Sequence, residues 1–243
     1  MIQYPLFIIL GLIPSFIWLL FYLRKDKKPE PNEMVIKVFI YGMAVTVPAA
    51  LIEWGFVGFL QTLELSTSLF LAIYFLVGVA LTEELVKYMV IRLRILRDKC
   101  FDEPIDAMIY MIIAGLGFAA FENILTLFAL KQPYLIEQTL MALSGRFVGA
   151  TILHALCSAN IGFFLGLSFH RKHLRRRLVA IGILISLFFH GFFNLALVME
   201  GWPKSAILLT LLIGLFVVVL LEFKYISNLK KHVQKETKKT TDN

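Results

Sequence analysis

Seven long apolar runs separated by short polar connections constrain this chain more than any other feature. They cover about 5–23, 34–60, 69–91, 105–130, 140–169, 178–199 and 205–223. About 20 residues at 1.5 Å each cross the ~30 Å of hydrocarbon in a bilayer, so runs of this length read as transmembrane helices. Lipid offers no hydrogen bonds to the backbone, so each run must satisfy its own as a helix. Composition agrees, with 59% hydrophobic and 17% charged residues, against about 25% charged in soluble domains. The expected fold is all-α, a polytopic transmembrane helical bundle of about seven spans over 1–227, with a basic tail at 228–243 that lacks apolar periodicity and reads as mobile. An eighth half-span or re-entrant piece around 49–68 is the alternative. Pro48 kinks the second span in this reading, while Pro133 and Pro203 fall in connections, where a missing N–H costs little.

Basic residues alternate between connections. Arg24, Lys25, Lys27 and Lys28 follow the first span, Arg92, Arg94, Arg97 and Lys99 the third, and Arg171, Lys172, Arg175, Arg176 and Arg177 the fifth. The other connections hold only Lys131 and Lys204. Short cytoplasmic loops are rich in Lys and Arg, so seven spans place the N-terminus outside and the C-terminus in the cytoplasm. The first run lacks the basic start and cleavage site of a signal peptide and is expected to be a mature helix. The net charge of +7 then reflects topology and attraction to anionic lipid, not nucleic-acid binding. Cys100 in a loop and Cys157 within the fifth span have neither disulfide nor metal-site spacing.

Against this background, polar residues inside the spans stand out. Ionisable groups at mid-bilayer cost roughly 2.5–3.5 kcal/mol on insertion scales, so they line protein-enclosed or watery cavities. In the third span Glu83 and Lys87 are four apart and share a face, while Glu84 points about 100° away. That spacing pairs Lys87 with Glu83 and leaves Glu84 in a different environment. The plain alternative is that Glu83 and Lys87 merely neutralise each other and join helices. In the fourth span Glu122 flanks a close-packing stripe of Gly115, Ala119 and Asn123. The fifth carries Ala150, His154, Ser158, Gly162 and Gly166 on one face. The sixth carries His190 and Asn194 one turn apart, so the amide can orient the imidazole or meet a substrate carbonyl. Glu53 in the second span has no assigned role.

Such a set can activate water, protonate a leaving amine and hold an oxyanion. Glu122, His154 and His190 also form the one-carboxylate, two-histidine set that holds hydrolytic zinc, although no H-E-x-x-H helix is present. Spacing alone leaves both chemistries open. Two rival functions use similar groups: a lipid or prenyl-protein hydrolase, and a proton-coupled transporter, which often shows repeated halves that are absent here.

The motifs TEELVKY (82–88), DEPIDAMIY (102–110), GLGFAAFENI (115–124), RFVGATILHALCSANIGFFLG (146–166) and HGFFN (190–194) resemble, in order, those of the PrsW family of intramembrane proteases. DKKPEPN (26–32) resembles the family's first cytoplasmic loop, while Thr126 departs from the aromatic expected in the second motif. The family is itself similar to the type II CAAX prenyl proteases. The resemblance implies a protease of the bacterial plasma membrane, acting on membrane-anchored substrates such as anti-sigma factors. It also implies that Glu83, Glu84, Glu122, His154, His190 and Asn194 act, with Lys87 and Asn123 in support. The expected mechanism has Glu83 or Glu84 as general base, His190 and Asn194 on the tetrahedral intermediate, and His154 with Glu122 positioning water or a metal. Of the two chemistries the metal-independent one is favoured.

Overall fold

A computed structural model describes residues 3–24, 28–129, 145–146, 149–169, 171–198 and 203–241. Lys25, Lys27, Lys131, Pro133 and the opening of the fifth apolar run at 140–144 lie outside them. No strand occurs among the described residues. The helices are α1 (Gln3–Leu23), α2 (Asn32–Gln61), α3 (Thr67–Ile73), α4 (Thr82–Arg94), α5 (Asp106–Ala129), α6 (Ala150–Leu167), α7 (Arg175–Val198) and α8 (Lys204–Thr241). A π-helical stretch, Tyr74–Leu81, joins α3 to α4 into one third span. Seven helical spans among the described residues are long and apolar enough to cross a membrane.

Helices overrun the apolar runs at their polar ends. The second and third spans reach Asn32–Gln61 and Thr67–Arg94, because hydropathy marks the lipid-facing part and the backbone hydrogen bonds continue past it. The region 49–68, where an eighth piece was the alternative, holds the end of α2, a short turn and the start of α3. α8 stays helical across 227–228 to Thr241.

The bundle has an inside. α5 and α6 are buried over 72% of their apolar windows, against 22% for the seventh span. α1, α2, α4 and α6 surround α5, and α7 and α8 pack against α6. Large apolar side chains such as Trp54, Leu93, Leu184 and Ile213 point outward, mostly exposed. This is the pattern expected when lipid, not water, is the neighbour.

The stripes of small residues lie where α5 meets α6. A Cβ on Gly115 would sit 2.9 Å from the His154 carbonyl oxygen, and one on Gly162 would sit 2.6 Å from Met108 Cα. Only glycine permits this approach of backbones, which drives helix association where the hydrophobic effect cannot. The stripe running through His154 therefore faces protein, as its spacing predicts.

The basic connections between spans one and two, three and four, and five and six gather at one end of the bundle. Lys28 reaches Asp102 at 2.5 Å, Tyr110 donates to Glu30, and the rings of Phe101 and Phe169 are 5.7 Å apart. Asp106 accepts the backbone N–H groups of Asp102 at 2.9 Å and Glu103 at 2.6 Å, which caps the entry to α5.

Candidate functional site

Four helices deliver charged or imidazole groups to one buried cluster. Glu83, Glu84 and Lys87 come from the first two turns of α4, Glu122 from α5, His154 from α6 and His190 from α7. The α4 residues follow directly on the π-helical stretch, a feature found often at functional sites and invisible to apolar periodicity. Glu84 and Lys87 are fully buried and Glu83, His154 and His190 nearly so. The Glu122 side chain, 32% exposed, is the cluster's accessible edge.

Glu84 holds two partners through one oxygen: Lys87 Nζ at 2.7 Å and His190 Nδ1 at 2.8 Å. The expected pairing of Lys87 with Glu83 is present as an ion pair, but Glu84, expected in a different environment, is the nearer partner. Glu83 Oε2 is 3.7 Å from Nζ, while residues three apart are also neighbours on a helix, and here that pair closes first. His190 is likewise oriented by Glu84. Asn194 lies one turn further on, half-buried, and its side chain makes no hydrogen bond among the described residues.

Lys87 Nζ is also 3.0 Å from His154 Nδ1. An ammonium only donates, so Nδ1 accepts and the ring proton of neutral His154 resides on Nε2. That N–H donates to Glu122 Oε2 at 2.8 Å. His190 follows the same logic: Nδ1–H donates to Glu84, leaving the lone pair of Nε2 open. The two rings meet at right angles with centroids 5.1 Å apart. Glu83 Oε2 lies between them, 3.7 Å from His154 Nδ1 and 3.6 Å from His190 Nε2.

Glu122 is anchored from its other oxygen by Arg146, at 2.9 Å from Nη2. Arg146 Nε donates to Asn123 Oδ1 at 2.5 Å, and the Asn123 amide reaches Thr151 Oγ1 at 3.2 Å. Asn123 therefore acts on the cluster through Arg146. Arg146 lies outside the set of residues expected to act, although its position two four-residue steps before His154 puts it in register with the stripe that carries the histidine. Beside Arg146 an apolar cavity of ≈ 600 Å³ opens between α5, α6, α7 and α8, bordered also by Thr126, Gly149 and Phe193. Cys157 is buried, its thiol 3.7 Å from the Ser186 carbonyl.

The donor set fits a metal ion. Glu83, His154 and His190 offer three ligand atoms within 4.8 Å of one another. Glu83 Oε2 is buried and has no hydrogen-bond partner. Each histidine gives its remote N–H to a carboxylate, the arrangement that orients metal-ligating imidazoles. The carboxylate of this trio is Glu83, where the sequence offered Glu122 as one possibility, because Glu122 is turned to the far nitrogen of His154.

A bundle of helices long and apolar enough to cross a membrane that closes around buried carboxylates and histidines is a membrane protein carrying the groups a hydrolase needs. The model of the PrsW family of intramembrane metalloproteases matches residues 30–221, and the chain belongs to that family. The chain is 30% identical over 183 residues to Protease PrsW of Geobacillus kaustophilus, covering 75% of each protein. It is 26% identical over 215 residues to Protease PrsW of Oceanobacillus iheyensis, covering 88% of this chain and 93% of the relative. Protease PrsW of Bacillus subtilis is 25% identical over 184 residues, covering 75% of this chain and 78% of the relative. No solved structure matches. The chain is an intramembrane protease.

Proposed function

We propose that this protease hydrolyses a peptide bond in or near the membrane segment of a membrane-anchored regulator, such as an anti-sigma factor, with a divalent cation such as zinc held by Glu83, His154 and His190. The end that gathers the basic connections faces the cytoplasm of a bacterium in this reading, and the N-terminus lies outside. The observation that carries it is the pair of carboxylate-backed histidines, whose near nitrogens both turn to Glu83 Oε2, a buried oxygen without a hydrogen bond.

The cation would supply Lewis acidity toward the scissile carbonyl and its attacking water. The protein's own groups do the rest. Glu84 and Glu122 fix the tautomers of His190 and His154, and Arg146 fixes Glu122. Glu122, held between Arg146 and the Nε2–H of His154, keeps the imidazole turned with Nδ1 toward Glu83. Asn194 is assigned to the substrate carbonyl, and the cavity beside Arg146 to an apolar substrate segment. Burial of the cluster excludes bulk water and strengthens each of these interactions.

One observation favours a metal-free reading, in which Glu83 or Glu84 alone activates water. Lys87 donates to His154 Nδ1, a nitrogen that a metal would need.

The test uses purified full-length protein in nanodiscs, a transmembrane peptide substrate and measured metal content. Wild type is expected to carry a divalent metal and cleave the peptide. Glu83→Gln should lose the metal and about 10²–10⁴-fold in kcat/KM, the range of a lost acid–base or metal-activated step. Full cleavage by metal-free wild type returns the chemistry to the carboxylates alone. Hydrolysis of a lipid ester in place of the peptide would overturn the substrate assignment.

A further inference from the structure

Lys87 bears on the atoms that the trio would offer a metal. Its Nζ is 3.0 Å from His154 Nδ1 and 3.7 Å from Glu83 Oε2. The lone pair of Nδ1 cannot serve an N–H donor and a metal at once. The side chain is fully buried, so its charge has no water to retreat into. It does have other company: Glu84 Oε1 at 2.7 Å and the face of Phe118, with Nζ 4.9 Å from the ring centroid. A cation on an aromatic face is stabilised electrostatically. The ammonium can therefore release His154 for the loss of one hydrogen bond while its charge stays compensated. Three carboxyl groups of the cluster, Glu83, Glu84 and Glu122, lie against two cations, Lys87 and Arg146.

We infer that Lys87 is a built-in competitor for the metal. Its ammonium bridges the carboxylates and His154 in the metal-free protein and gives up Nδ1 when a divalent cation enters. The inference rests on the metal-dependent reading above. Lys87 is a positioning residue in this scheme: it sets how tightly the trio takes the ion and touches no reacting atom. A charge-assisted hydrogen bond is worth roughly 1.5–3 kcal/mol, so removing the competitor raises affinity about tenfold or more.

Full-length protein in nanodiscs is titrated with Co²⁺, whose absorption reports the ligand set. Lys87→Met and Lys87→Gln should bind Co²⁺ about tenfold or more tighter than wild type, with an unchanged spectrum because the ligands are unchanged. Equal or weaker binding by folded variants, with wild type binding, overturns the role of Lys87 and leaves the metal reading standing. Tighter binding with an altered spectrum also overturns it, since the ligand set has then changed. No uptake by any of the three proteins defeats the metal reading itself. If both variants misfold, the ¹⁵N resonance of the Lys87 ammonium in wild type decides: a shift on adding Zn²⁺ supports displacement, and no shift under confirmed Zn²⁺ binding overturns it.

Discussion

Two lysine–carboxylate pairs in this bundle have nearly the same length and opposite surroundings. Lys87 meets Glu84 at 2.7 Å with both side chains 0% exposed. Lys28 meets Asp102 at 2.5 Å with side chains 62% and 53% exposed. Distance ranks the exposed pair first, and energetics reverses the order. In the interior, each charge has given up hydration and depends on its partner, so deleting one strands the other. At the bundle end, water and salt replace whichever partner is lost. The buried pair is thus a structural commitment as well as chemistry, while the exposed one ties two loops that other contacts also hold.

Glu84→Ala should give the largest separation between the two regions. It leaves the Lys87 ammonium and the His190 N–H without their nearest acceptor, a loss of about 3–5 kcal/mol by the usual cost of breaking a buried pair. Thermal unfolding in nanodiscs should show a drop of several degrees or no folded protein. A melting temperature equal to wild type would break the comparison, because the buried pair would then be no more committed than the exposed one. Glu83→Gln sharpens the contrast from within the cluster: its Oε2 has no hydrogen-bond partner, so metal and activity should fall while the melting temperature of the metal-free protein drops less than for Glu84→Ala.

The next effect comes from packing. At Gly115 any side chain meets both the His154 carbonyl and Ser158 Cβ at 2.9 Å. Gly115→Leu should therefore force α6 away from α5 and carry His154 off Glu122. Overpacking of this kind costs about 1–3 kcal/mol, and here activity should fall further than stability, since a misplacement of about 1 Å can cost 10²-fold in rate. Melting temperature and kcat/KM measured on the same sample give the two numbers. An active, destabilised variant would show that His154 tolerates displacement.

These expectations depend on features unequally legible in the sequence. Span number and approximate position follow from run length, because lipid leaves the backbone no alternative to helix. The cluster members also announce themselves, since Glu83, Glu84, Glu122, His154 and His190 interrupt long apolar runs. Their partners do not. Spacing allows Lys87 to pair at i−3 or i−4, and only the arrival of His154 and His190 from α6 and α7 shows that Glu84 is the nearer acceptor. The choice of Glu83 over Glu122 for the donor trio likewise depends on which imidazole nitrogen each carboxylate meets. That is a matter of helix rotation, which a single chain of letters does not encode. The π-helical stretch before Glu83 has no apolar signature, because its residues are uniformly hydrophobic.

The smallest effect belongs to the exposed pair. The Asp102 carboxylate holds the Lys28 ammonium above its ordinary range through their hydrogen bond. A raised lysine contributes its stability in full below the unfolded value of about 10.4 and loses it as pH climbs through the higher folded one. Across neutral pH the pair is intact, yet its exposure leaves little for the pH or a mutation to remove. Lys28→Ala should leave melting temperature, metal content and peptide cleavage at wild-type values, and raising the salt should narrow even a marginal difference. If it instead lowered activity without lowering the melting temperature, the loop contact would be coupled to the cluster. The tie from Glu30 to Tyr110 on α5, the helix that carries Glu122, would then be the physical route to examine.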